Sequence, residues 1–222
     1  MTLLLVGCTA QVSSENHATP LRILSLGDSY TIGENAAADE RWPVQLAGLI
    51  EQRGLSVAEP LLIAQTGWTT DELAAAIQRA DPQGLFALVT LLIGVNNQYR
   101  GRDLEEYRAQ FRSLLEQAIA FAGGDPGAVI VLSIPDWGVA PFAAGRDRTQ
   151  IGIEIDRFNA VNRAESEQAG VRYVDVTHLS RQAAGDPALT APDELHPSGK
   201  MYRLWAEQAL PQAMAALEGE RR

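Results

Sequence analysis

Residues 22–33 read RILSLGDSYTIG, and the fold of the chain turns on how this stretch is parsed. Ile23, Leu24 and Leu26 form an apolar run that stops at Gly27, Asp28 and Ser29, after which Tyr30 and Thr31 lead to Gly33. A short apolar run followed at once by turn residues reads as a buried strand delivering its last residues to the edge of a sheet. The Ser29 hydroxyl then stands at the carboxyl end of that strand, where open α/β sheets keep their ligand sites. By itself the Gly-Asp-Ser triplet is ordinary turn chemistry. Its meaning depends on what the rest of the chain sets beside it.

Four further apolar segments repeat the pattern. Residues 61–64 (LLIA), 85–93, 128–134 (AVIVLSI) and 171–176 each read as a strand, and the second of these is the most continuous apolar run in the body of the chain. Helical periodicity fills the intervals. Residues 42–53 carry Pro43 in a first turn, where proline fits. Thr69 or Thr70 can cap a helix running to about Ala80. Residues 103–121 place Leu104, Tyr107, Phe111, Leu114, Leu115 and Ala118 on one face, and residues 149–169 do the same with Ile151, Ile155, Phe158 and Val161. A closing helix over 197–217 is expected to break or bend near Pro211. Strands alternating with helices imply right-handed crossovers and a parallel sheet covered on both faces. The expected architecture is α/β, a doubly wound flavodoxin-like three-layer sandwich on a five-stranded parallel sheet. Strand order 2-1-3-4-5 opens a crevice between the first and third strands, flanked by the loops of Ser29 and Asn96.

Composition sets outer bounds. A chain of 222 residues with 46% apolar content can bury a full core, so one domain over residues 21–222 is expected. Its formal charge of −10 argues against nucleic acid as a partner, since no phosphate-neutralising surface is to spare. The lone cysteine, Cys8, excludes an intrachain disulfide and a cysteine-rich metal site. Leu5-Val6-Gly7-Cys8 resembles a bacterial lipoprotein lipobox, with residues 9–19 as a polar tether. On that reading residues 1–20 are a signal remnant and tether, Cys8 is lipidated, and the protein is exported and held at the envelope. The alternative is a frayed tail with a chance cysteine in a cytoplasmic protein. A monomer is the default for a compact domain of this kind.

The second anchor is Asp193-Glu194-Leu195-His196-Pro197. An Asp three residues before a His can curl back so that its carboxylate meets the imidazole, fixing the tautomer and steadying the imidazolium. Pro197 keeps His196 out of a helix and suits the first turn of the next one. His17 lies in the tether, and His178 reads as a satisfied surface residue. A serine nucleophile also needs donors aimed at a developing oxyanion. Gly67 can offer a backbone N–H in the loop after the second strand, and Asn96 a side-chain amide after the third. Asp28, an anion beside the serine, is expected to hold the turn through backbone hydrogen bonds.

Taken in order, Gly27-Asp28-Ser29, Gly67, Gly94-Val95-Asn96 and Asp193-x-x-His196 resemble the four blocks of the SGNH superfamily, also called GDSL hydrolases. The resemblance spans about residues 21–217 and implies a serine esterase or lipase on a flavodoxin-like fold. Matched by position, Ser29 would be the nucleophile, His196 the general base and later acid, and Asp193 its orienting partner. The Ser29 and Gly67 N–H groups with the Asn96 side chain would make the oxyanion hole. Two positions depart from the family pattern. Asn97 stands where an Asp is common, and Tyr30 where a Leu is common.

The implied reaction is hydrolysis of a small-molecule carboxylic ester through an acyl-Ser29 intermediate, with thioesters within chemical reach. Nothing in the sequence requires a cofactor or a metal. Trp68, Tyr99, Trp137 and Phe142, in or near loops at strand ends, are candidates for an apolar acyl pocket. Two rivals stand beside this reading. One is a catalytically silent relative that binds glycans or lipids at the envelope. The other is a cofactor binder in which Ser29 and Thr31 cradle a phosphate.

Overall fold

The computed structural model describes residues 19–219. The lipobox-like stretch around Cys8 and nearly all of the polar tether, His17 included, lie outside them. Five strands, β1 (Ile23–Gly27), β2 (Leu61–Ala64), β3 (Leu88–Leu92), β4 (Val129–Leu132) and β5 (Arg172–Val174), form one sheet in the order β2-β1-β3-β4-β5. All four pairings are parallel, as the alternation of strands and helices requires. The three-layer α/β architecture expected from the sequence is the one observed.

Register is what positions the site. Gly27, the last residue of β1, pairs with Ala64, the last of β2, and with Leu92, the last of β3. The segments that follow these strands therefore leave the sheet side by side at one edge, although they lie far apart in sequence. Every residue of β1 and β3 is buried, so these strands have little freedom to slip against their neighbours.

Eight α-helices surround the sheet among the described residues: α1 (Ser29–Ile32), α2 (Trp42–Glu51), α3 (Thr70–Ala80), α4 (Val95–Tyr99), α5 (Leu104–Phe121), α6 (Arg148–Ala169), α7 (Thr177–Ser180) and α8 (Gly199–Gly219). One layer is built on α2 against α8, and another on α3, α5 and α6. The buried Glu165 of α6 fastens the second layer by accepting from Arg108 Nη1 at 2.9 Å and Arg112 Nε at 2.8 Å on α5. A carboxylate can be buried there only because it is doubly paired.

Three details differ from the sequence-based reading. The apolar run at 85–93 forms a strand only from Leu88, because Leu85 turns out to 67% exposure while Phe86 packs edge-on against Phe121. The closing helix runs through Pro211 unbroken. Pro211 is exposed, as is Glu207 one turn earlier, so the carbonyl that proline leaves unpaired can turn to water. Asn96, expected on a loop, sits in the five-residue helix α4.

Candidate active site

The chain turns sharply at Gly27. A Cβ there would overlap the Thr31 hydroxyl and come within 2.5 Å of the Leu92 carbonyl oxygen, so the turn tolerates only glycine. Asp28 caps α1, its Oδ1 accepting from the Tyr30 N–H at 3.0 Å. That is the turn-holding role expected of it. Asp28 is wholly buried and its Oδ2 has no hydrogen-bond partner among the described residues. Burial pushes its carboxyl up to about 7, against the pull of backbone N–H groups. Ser29 follows as the first residue of α1, and as such its N–H has no partner within the helix.

The loop before α8 brings the acid–base pair to this hydroxyl. Asp193 Oδ1 accepts from the N–H groups of Leu195 and His196 at 3.1 and 3.0 Å, curling the chain into a tight turn with Glu194 in the left-handed region at φ 63°. The curl directs Asp193 Oδ2 to His196 Nδ1 at 2.5 Å, and His196 Nε2 lies 2.9 Å from Ser29 Oγ. Partial burial would raise the Asp193 carboxyl, but the ring and backbone hydrogen bonds outweigh it and hold the group below the usual carboxylate range. With Asp193 ionised, the ring hydrogen sits on Nδ1 and leaves the Nε2 lone pair facing the Ser29 hydroxyl. The Tyr30 ring packs beside the imidazole, 5.4 Å between centroids, and against Trp205 beyond it at 6.1 Å. At the position where leucine is common, tyrosine thus supplies a buried aromatic support.

On the other side of Ser29, the loop after β2 presents Gly67 at φ +87°, a conformation few other residues adopt. Among the described residues the Gly67 N–H has no hydrogen-bond acceptor. Three contacts pin this loop. The Thr66 hydroxyl donates to the Glu34 carboxylate, Arg100 Nη2 donates to the Gly67 carbonyl at 2.6 Å, and Asn96 Nδ2 donates to the Trp68 carbonyl at 2.9 Å. A primary amide has two N–H groups, so Asn96 keeps one for a ligand. Its neighbour Asn97 is buried, accepting from the Thr70 N–H at 3.1 Å and donating to the Thr70 hydroxyl at 2.8 Å. The amide that replaces the usual carboxylate therefore ties α4 to the start of α3.

Ser29, Gly67, Asn96 and His196 all face one cavity of about 220 Å³, whose far wall is Tyr99, Trp137 and Phe142. Three of the four aromatic candidates thus share the cavity with Ser29. Trp68 does not: its side chain packs against the core, and its contribution to the site is its carbonyl. Thr31 is wholly buried against Gly27, which removes the second hydroxyl from the phosphate-cradle alternative. His178 is half exposed, 3.8 Å from Asp175 and away from this cavity.

This edge of strand ends, cavity and relay can be set against known proteins. The GDSL-like lipase/acylhydrolase family model matches residues 25–204. The chain belongs to that family. No curated protein sequence matches it, but solved structures share its fold. The TesA structure superposes at a TM-score of 0.69 with 19% identity, covering 88% of this chain and 99% of that one. The acetylxylan esterase Axe2 from Geobacillus stearothermophilus gives 0.64 with 21% identity, over 87% and 94%. A psychrotrophic esterase, EstA from Pseudoalteromonas sp., gives 0.63 with 18% identity, over 89% and 98%.

In this GDSL-like family member several residues reach the site without a sequence signal that announces them. Asn35 Nδ2 donates to Asp193 Oδ2 at 2.6 Å across 158 positions. Its φ of 60° is readable from sequence only as a turn preference of asparagine. Glu34 and Arg100 brace the Gly67 loop from opposite sides. Among the described residues no group of three or more His, Cys, Asp or Glu side chains is arranged to hold a metal ion.

Proposed function

We propose that this protein hydrolyses carboxylic esters through an acyl-Ser29 intermediate. The observation that carries the reading is the relay Asp193–His196–Ser29, with contacts of 2.5 and 2.9 Å, facing a cavity that also receives Gly67 and Asn96. Family membership supports the reaction class, and the esterases named above share the fold.

Ser29 Oγ attacks the ester carbonyl carbon while His196 Nε2 takes its proton, and the carbonyl π electrons move onto oxygen. The resulting oxyanion is received by the N–H groups of Ser29 and Gly67 and the free N–H of Asn96. Collapse expels the alcohol, which leaves with the proton from His196. Water then attacks the acyl-serine with His196 again as base, releasing the acid and restoring Ser29. Asp193 stays ionised throughout and steadies the imidazolium. A thioester fits the same sequence with thiol as leaving group.

The apolar rings of Tyr99, Trp137 and Phe142 give the acyl chain a wall to lie against.

The test is a series of p-nitrophenyl esters from acetyl to palmitoyl, assayed with the protein and with Ser29→Ala. The expected result is turnover that vanishes in Ser29→Ala, with the chain-length optimum measuring how much of an acyl chain the aromatic wall receives. Turnover that survives this substitution would sink the mechanism.

A further inference from the structure

Arg146 stands at the outer end of the aromatic wall. Its guanidinium carbon lies 5.2 Å from the Tyr99 ring centroid, 5.4 Å from Trp137 and 5.5 Å from Phe142, and its Nη2 donates to the Tyr99 hydroxyl at 3.1 Å. These are the rings that line the cavity shared with Ser29. They are themselves held in place: Trp137 Nε1 donates to Gln98 Oε1 at 2.8 Å, and Gln98 Nε2 donates to Glu154 at 2.7 Å. Glu154 also receives Gln150, so the carboxylate in this network is already engaged.

The charge environment sets Arg146 apart from the basic residues that are tied into ion pairs. Arg100, Arg112, Arg181 and Lys200 each pair with a carboxylate, as an acidic protein of net charge −10 readily allows. Arg146 has no carboxylate within ion-pair distance among the described residues, and it is exposed. One of its five N–H groups is used on Tyr99, and the rest of the fork is open. A guanidinium held over aromatic faces presents a planar set of donors matched to carboxylate or phosphate oxygens.

We propose that Arg146 forms an anion subsite at the outer end of the aromatic wall, so that the preferred substrates are esters bearing a carboxylate or phosphate group remote from the scissile bond. The inference rests on the ester hydrolysis proposed above. Bare ring faces would repel such a group through their quadrupole, and the guanidinium reverses that field where the rings meet solvent. Neutral esters use the same wall without this contact.

Two matched pairs test it. p-Nitrophenyl hexanoate against the mono-p-nitrophenyl ester of adipic acid places a carboxylate at the end of the acyl chain. 1-Hexanoylglycerol against its 3-phosphate places a phosphate on the alcohol side. In at least one pair the anionic member is expected to show about tenfold higher kcat/KM, carried by KM, since one charge-assisted contact is worth about that factor. In Arg146→Gln the ratio within that pair falls to about one, and in the native protein it shrinks as salt is raised. The pair that responds tells which side of the ester carries the anion. Equal kcat/KM within both pairs, or a preference that Arg146→Gln leaves intact, overturns the proposal.

Binding of the same four compounds to Ser29→Ala, read by calorimetry, separates this claim from the catalytic one. If no ester is cleaved yet the anionic members bind Ser29→Ala more tightly, and this preference is lost on adding Arg146→Gln, the subsite stands and the reaction does not. If the neutral esters are cleaved and the anionic ones bind no better, the reaction stands and the subsite does not.

Discussion

Asn35 donates a 2.6 Å hydrogen bond to Asp193 Oδ2, the same oxygen that meets His196 Nδ1 at 2.5 Å. Asparagine here gives this one carboxylate oxygen a second donor besides the imidazole while its backbone occupies the left-handed region at φ 60°. Asn35→Gly keeps that backbone accessible and removes only the side chain. The expected outcome is a fall in kcat of about tenfold, the worth of one hydrogen bond to a charged group, with KM little changed and the melting temperature preserved. Steady-state kinetics on a short-chain ester check it, and unchanged kcat would leave Asn35 with a turn-forming role alone.

Arg100 ties the Gly67 carbonyl at 2.6 Å and pairs with Glu72 at 3.1 Å. The ion pair is solvent-exposed and contributes little to stability. The carbonyl contact, by contrast, holds Gly67, which lines the cavity and whose N–H has no acceptor among the described residues. Arg100→Met is therefore predicted to lower kcat by about tenfold for the loss of a charged hydrogen bond, while the unfolding midpoint in urea moves only slightly. A large loss of stability with kcat retained would point to a structural role instead.

Asn96→Ala removes a side-chain donor to the cavity and frees the Trp68 carbonyl. By the measured cost of losing such a donor, kcat should drop on the order of 10² to 10³. A drop below tenfold would count against Asn96 as an oxyanion donor.

Asp28 makes a prediction about stability and pH. Its carboxyl is raised by burial to about 7, above the ordinary value of 3.8 that it regains on unfolding. Between these limits the folded chain binds more protons than the unfolded one, so stability falls as pH rises through this window and the full cost is present above it. An amide in place of the carboxyl would keep the acceptor for the Tyr30 N–H without ionising. Asp28→Asn should therefore be more stable relative to the native protein at pH 8 than at pH 4, by on the order of 2–4 kcal/mol. Urea unfolding of both proteins at the two pH values measures this, and parallel pH dependences would refute it.

Much of this molecule is legible in the sequence because its determinants are local. The apolar runs at 23–27, 61–64 and 85–93 predict strands, and their alternation with helices predicts the sheet. The Asp193 and His196 pairing is a three-residue turn, readable from spacing. What escapes the sequence is made by tertiary closure. Asn35 and Asp193, or Arg100 and Gly67, meet only because strand ends are aligned by register, and no local pattern marks either pair. Side-chain direction is lost too. Trp68 lies on the expected loop, yet its ring faces the core rather than the cavity. The short helices α1 and α4, four and five residues long, fall below the length at which periodicity carries a signal.

The most direct test of the account is to trap the nucleophile. The protein is treated with a p-nitrophenyl alkylphosphonate, and the adduct is located by peptide mass spectrometry while esterase activity is followed in parallel. The account predicts one adduct, on the peptide carrying Ser29, forming in step with the loss of activity and absent from Ser29→Ala. An adduct on another residue that accompanies inactivation, or full inactivation with Ser29 unmodified, would contradict it.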